Sequence, residues 1–205
     1  MASTTIKARG IVIRETLVGE TDKYLTIFTK DTGKLVVRAR GAKNAKSKYL
    51  TAQIFAYCDF VLYQGRGFYS LTQVELIERF YNLRLNYDRL MLAYEIIALV
   101  DKYVPTGHIE TQESRDILLL ILKAMSKLVK ESTAPELIAT IFKLKFLQLA
   151  GFAPNVENDQ QNISQVLKYI MSCEISKVYN FSVTKDIERG LANVCELFLP
   201  KLEIE

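Results

Sequence analysis

Six cations stand between positions 34 and 48: Lys34, Arg38, Arg40, Lys43, Lys46 and Lys48. No acidic residue lies between Asp31 and Asp59. A polyphosphate chain is gripped by guanidinium and ammonium groups repeated at intervals along a groove, and this stretch provides them. Lys34 to Arg40 alternates strictly, with Leu35, Val37 and Ala39 on one side and Lys34, Val36, Arg38 and Arg40 on the other. Lys43, Lys46 and Lys48 fall in the polar stretch Gly41 to Ile54, read as a loop. The clustering concentrates positive potential on one flank. Lys7, Arg9 and Arg14, with Arg66 in Gly65-Arg66-Gly67, would extend that flank. Charges on a strand also discourage pairing with other sheets. The adjoining basic loop tips the reading toward binding a polyanion. Tyr24, Tyr49, Tyr57, Tyr63, Phe68 and Tyr69 are available for base stacking. Most are expected to fill the interior, with Tyr49, beside Lys48, the one expected outside it.

Catalytic signatures are absent. The single histidine, His108, sits in Pro105-Thr106-Gly107-His108 between two helices, a setting for a surface residue. No phosphate-cradling GxxxxGK[ST], no GxSxG and no carboxylate pair occurs. Gly65-Arg66-Gly67 reads as a hairpin turn. Cys58, Cys173 and Cys195 have no neighbouring Cys or His partner, so each is expected to be a small buried apolar residue and no metal is expected.

The 205 residues are 49% hydrophobic and 24% charged, which excludes disordered and fibrous classes. No apolar run approaches the ~18 residues that cross a bilayer, and the first thirty residues hold no continuous apolar segment of a secretory signal. A cytoplasmic, nucleoid-associated location is expected. Charge divides the chain: residues 1–80 hold 13 Lys/Arg against 7 Asp/Glu, residues 81–205 hold 14 against 16. That asymmetry suggests two domains, the basic one facing a polyanion.

Five short strands are predicted, at Ile6–Glu15, Tyr24–Thr29, Lys34–Arg40, Phe55–Gln64 and Phe68–Leu76. Gly33 supplies the positive φ for the turn between the second and third. Five strands in about eighty residues fit a small closed or partly open barrel. From Leu83 the apolar period changes to three and four, up to Pro105. Further helices are predicted at Gln112–Lys130, from Pro135 to a C-terminal Gly151, at Ile163–Ser172 and at Thr184–Leu199. Thr133-Ala134-Pro135-Glu136 reads as a capping box and Asn155–Asn162 as a connector. The fold class is α+β in two domains, a β-barrel followed by an all-α domain.

Four segments resemble the RecO family of bacterial DNA repair and recombination proteins: GETDKYLTIFTKDTGKL (Gly19–Leu35), RARGAKNAKSKY (Arg38–Tyr49), LYQGRGFYSLTQVELIERF (Leu62–Phe80) and FLQLAGFAP (Phe146–Pro154). The resemblance implies a five-stranded OB-fold over 1–81 and a helical domain over 82–205. It implies a non-enzymatic mediator that binds single- and double-stranded DNA and anneals complementary strands. With RecR, such a mediator helps RecA replace single-strand-binding protein. It assigns DNA contact to Arg38, Arg40, Lys43, Lys46, Lys48 and Arg66, beside Lys34 of the same strand. Many family members carry a four-cysteine zinc ribbon after the LAGFAP segment. Here Pro154 is followed by NVENDQQNISQVLKYIMSCEIS, with one cysteine. The rival reading is an adaptor whose basic barrel docks an acidic protein without touching DNA. A groove flanked by Lys143 and Lys145 is a weaker docking candidate, since Ile141, Leu144 and Leu147 are expected in the core and the lysines on a solvated face.

Overall fold

The computed structural model describes residues 4–44, 46–107, 109–130, 134–154 and 161–203. Strands β1 (Thr4–Val18), β2 (Asp22–Thr29), β3 (Gly33–Ala39), β4 (Tyr57–Gln64) and β5 (Tyr69–Glu78) close into a barrel in the order β1-β2-β3-β5-β4. The β3–β5 pair is parallel, through Val37↔Tyr69 and Arg38↔Ser70. This is the closed five-stranded architecture of the OB-fold. β1 belongs to two ladders, pairing with β4 through Thr4–Ile11 and with β2 through Gly10–Val18. Gly10 is shared by both, and a Cβ there would lie 2.3 Å from the Phe28 carbonyl oxygen, so no larger residue fits the closure.

The alternation on β3 is realised. Leu35, Val37 and Ala39 are buried and join Leu25, Ile27, Cys58, Phe60, Leu62 and Leu71 in the barrel interior. Gly33 takes φ +83° at the β2–β3 turn. The fourth strand begins at Tyr57, later than the sequence suggests. Phe55 is fully buried at φ +71° and its N–H donates to the Val12 carbonyl, so the chain bends there before the ladder starts. Between β4 and β5 the turn closes with the Gly65 N–H donating to the Phe68 carbonyl at 2.9 Å, a hairpin as the glycine spacing implies.

Five α-helices follow among the described residues: α1 (Tyr87–Tyr103), α2 (Thr111–Val129), α3 (Pro135–Leu149), α4 (Gln161–Ser172) and α5 (Lys185–Phe198), with short 3₁₀ turns at Tyr81–Leu85 and Leu199–Glu203. The chain forms two compact units. One is Met1–Phe80 with Val100–Leu118; the other is Tyr81–Leu99 with Leu119–Glu205. The end of α1 and the start of α2 therefore belong to the barrel unit. The Ser114 hydroxyl donates to the Thr29 carbonyl at 2.6 Å, and Arg115 pairs with Asp31 at 2.8 Å. His108 and the connector residues 155–160 lie outside the described residues; Gln161 and Asn162 open α4.

In the helical unit α3 is apolar nearly all round and is accordingly buried from Leu137 to Leu147, Lys143 excepted. Its expected cap, Thr133, lies outside the described residues. The helix instead starts with Ala134 as N-cap and Pro135 in its first turn, with no side-chain cap. At the other end Gly151 takes φ +84°. Its N–H donates to Gln148 and that of Phe152 to Leu147, the paired bonds of a Schellman motif. Ile141, Leu144 and Leu147 are core, but the lysines beside them are not a solvated face. Lys145 is buried, and its ammonium donates to the Met171 carbonyl at 2.9 Å and to Gln148 Oε1 at 3.0 Å. Burial lowers its pKa. Lys143 pairs with Glu95 at 2.6 Å. Cys58 and Cys195 are buried, which pushes both thiols up to about 12. Cys173 departs from the expectation and is only half-buried.

Candidate nucleic-acid interface

The cations of the basic stretch divide into three groups. Lys34 leaves the outward side of β3 but is covered. Its ammonium donates to the backbone carbonyl of Asp101 and lies 3.4 Å from that residue's carboxylate, with 7% of the side chain exposed. The Gly107 N–H donates to the Lys34 carbonyl at 2.8 Å. Lys34 is thus a covered, paired ion of the barrel unit, unlike the exposed cations that follow it in the same basic stretch. Arg14 is held by the other oxygen of Asp101 at 3.1 Å, and Arg9 by Asp59 at 2.7 Å. Of the first-strand cations expected to extend the flank, only Lys7 lacks an acidic partner among the described residues.

Arg38 and Lys43 form the second group, exposed in part and held in place. Arg38 donates from Nε and Nη2 to Oδ2 of Asp22, at 3.0 and 2.8 Å. The other oxygen of Asp22 accepts the Gly41 N–H at 2.9 Å. The Gly41 N–H, and then Arg38, hold the Asp22 carboxyl below its ordinary range. Lys43 donates its backbone N–H to Thr21 and its ammonium to the Gly19 carbonyl at 2.9 Å. One carboxylate and two carbonyls thereby fasten the start of the basic loop to the β1–β2 turn. Sequence reasoning passed over Asp22 and Asp101. The only signal for Asp22 is parity, since it shares a strand side with Tyr24, opposite Arg38.

Arg40, Lys46, Lys48 and Arg66 form the third group and are exposed. Arg40, Lys46 and Arg66 make no ion pair or side-chain hydrogen bond among the described residues. Lys48 lies 5.2 Å from the Tyr49 ring centroid. Tyr49 itself reverses the expectation. Its ring packs against the barrel core and its hydroxyl donates to the Leu71 carbonyl at 2.8 Å. Tyr24, Tyr63 and Phe68 are exposed instead, while Tyr57 and Tyr69 are half-buried.

Arg38 stands on the outward side of β3, Arg40, Lys43, Lys46 and Lys48 on the loop that follows it, and Arg66 in the β4–β5 turn. Such a surface can neutralise phosphates without reading base edges. The three cysteines do not meet the needs of a zinc ribbon, and among the described residues no group of three His, Cys, Asp or Glu is placed to hold a metal ion. No described helix is long and apolar enough to cross a membrane.

Fold and surface together define an OB-type barrel with a cationic flank, joined to a helical unit. Residues 1–80 match the family model for the N-terminal part of recombination protein O, and residues 84–165 match that for its C-terminal part. The chain belongs to the RecO family, a family of DNA repair and recombination. It is similar to the DNA repair protein RecO of Acetivibrio thermocellus, 27% identical over 95% of this chain and 90% of that one. The RecO of Alkaliphilus metalliredigens is 38% identical over 74% of this chain. That of a Thermoanaerobacter species is 32% identical over 75%. In both of these the match spans only 60% of the relative's length.

Proposed function

We propose that the barrel unit binds DNA through Arg38, Arg40, Lys43, Lys46, Lys48 and Arg66. The protein then acts as a recombination mediator without catalytic residues of its own. The observation that carries this reading is that Arg40, Lys46 and Arg66 are exposed and unpaired among the described residues, the first two on the loop after β3 and the third in the β4–β5 turn. Two more are fixed by Asp22 and the β1–β2 turn. Annealing requires that the repulsion between two strands be neutralised while their bases stay free, and a phosphate-gripping flank provides that. Both single- and double-stranded DNA are ligands in this reading. Cooperation with RecR and single-strand-binding protein in loading RecA, in the bacterial cytoplasm, is part of this reading and is supported by the family resemblance alone.

A gel-shift or anisotropy salt series on single-stranded DNA tests it. If about four phosphates are neutralised, affinity falls roughly 50-fold between ~50 and ~200 mM salt. Affinity indifferent to salt, or capture of RecR with no DNA shift, would favour the adaptor reading.

A further inference from the structure

We propose that Tyr24, Tyr63 and Phe68 form a stacking platform that gives this surface its preference for unpaired over duplex DNA. The inference rests on the DNA-binding reading above and names the part of the ligand that the cations leave unrecognised. Residues directly opposite in a ladder share a side of the sheet, and β-register here runs Tyr24↔Arg38, Arg38↔Ser70 and Ser70↔Tyr63. These four residues make one row across β2, β3, β5 and β4, about 14 Å of sheet at normal strand spacing. Leu25, Val37, Leu62 and Leu71 point inward, so the row points out.

Both tyrosines of the row are 37% exposed and Phe68 is 48% exposed. Phe28, on the same side of β2, is fully buried, and its cross-strand partner Lys34 is the residue covered by Asp101 and Gly107. The sheet's outward side is therefore covered at one end and open at the other, and the open end retains its rings. Tyr24 and Tyr63 use neither hydroxyl in a hydrogen bond among the described residues, so the rings are not there to satisfy a buried polar contact. Phe68 lies over the β4–β5 turn with its centroid 6.1 Å from that of Tyr63. A Cβ at Gly65 would lie 2.3 Å from the Phe68 ring, so the glycine makes the room that seats it.

Arg38 stands in the middle of the row, with Arg66 in the same turn as Phe68. The Asp22 bond uses Nε and Nη2 of Arg38 and leaves Nη1 uncommitted among the described residues. Exposed rings interleaved with guanidinium groups suit a ligand with flat faces and a phosphate backbone. Only an unpaired strand offers both, because duplex bases are already stacked.

The test uses the whole chain, an oligo(dT) of about 20 nucleotides and a duplex of the same length. The protein has 11 tyrosines and no tryptophan, so its intrinsic fluorescence is that of tyrosine, and comparison with the Leu variant isolates the share of Tyr24 and Tyr63. Oligo(dT) is expected to quench that fluorescence. Tyr24→Leu with Tyr63→Leu should abolish most of the quench and weaken oligo(dT) binding roughly 30-fold. Duplex affinity and the salt slope should stay where they were. Tyr24→Phe with Tyr63→Phe, which keeps the rings, should bind like the parent, and thermal melting of each variant establishes that it is folded. Unchanged oligo(dT) affinity in the folded Leu variant, or equal loss for duplex, overturns the platform while leaving the cationic site standing. A parent chain that binds neither DNA overturns the proposed function and the platform with it.

Discussion

Lys34 and Arg38 leave the same side of the same strand, four residues and about 13 Å apart, and meet opposite fates. Residues 101–107 lie over Lys34; nothing described lies over Arg38, whose side chain is 42% exposed. Both are paired to an aspartate. The pairs differ in what the acid does. Asp101 neutralises charge inside the unit, joining Lys34 and Arg14. Asp22 orients a guanidinium at the surface and fastens the loop behind it. A basic strand is thus not a binding surface as a whole: the element packed over it decides which cations remain available.

The largest effect expected from breaking this contrast is at the closed end. Asp101→Ala strips the carboxylate from a buried lysine, an uncompensated charge that should cost about 3 kcal/mol of stability. Urea unfolding reads the loss, and a variant as stable as the parent would show that packing alone closes that end. At the open end, Arg40→Ala, Lys46→Ala and Lys48→Ala together should leave stability near the parent's. They should lower single-strand affinity roughly 30-fold at low salt and make the log–log salt slope shallower by about 2. An unchanged slope would place the phosphates elsewhere.

Asp22 gives a smaller effect with a defined pH sense. Its folded carboxyl titrates below the ordinary 3.8. Its stabilising contribution is therefore full above that pH and is lost as the pH falls through the folded value. Asp59, held down by Arg9, behaves in the same sense. Asp22→Asn should flatten the acid limb of the stability curve below pH ~4 and leave the limb above neutrality alone. An acid limb identical to the parent's would mean that the bonds of the Asp22 carboxylate to the Gly41 N–H and to Arg38 carry no folding energy.

The five strands, the inward set of β3 and the helix ends at Pro135 and Gly151 were legible because they follow from local rules: alternation, a turn glycine, a helix stop. The cationic loop was legible as composition. What sequence could not show depends on register and on distant chain. Nothing near Lys34 announces Asp101, 67 positions away, and nothing near Tyr49 shows that its ring turns inward while its hydroxyl reaches Leu71. Phe55 reads as the first residue of a strand by type, and only its contact with Val12 explains why it bends the chain. The row Tyr24–Arg38–Ser70–Tyr63 needs three ladders to be known at once.

The finest discrimination between the two ends of β3 is Lys34→Met. The substitution keeps the buried stem and removes the ammonium, while Asp101 retains Arg14 as its partner. Stability should fall less than with Asp101→Ala, because the acid left behind still faces a cation. Affinity for oligo(dT) and for duplex should remain within about twofold of the parent's, and the salt slope should not move, because a covered ammonium releases no counterion when DNA binds. Anisotropy titrations at two salt concentrations measure this. A loss comparable to that of the loop variant would mean that the cover over Lys34 opens when DNA binds, and the division of the strand into a closed and an open end would then hold only for the free protein.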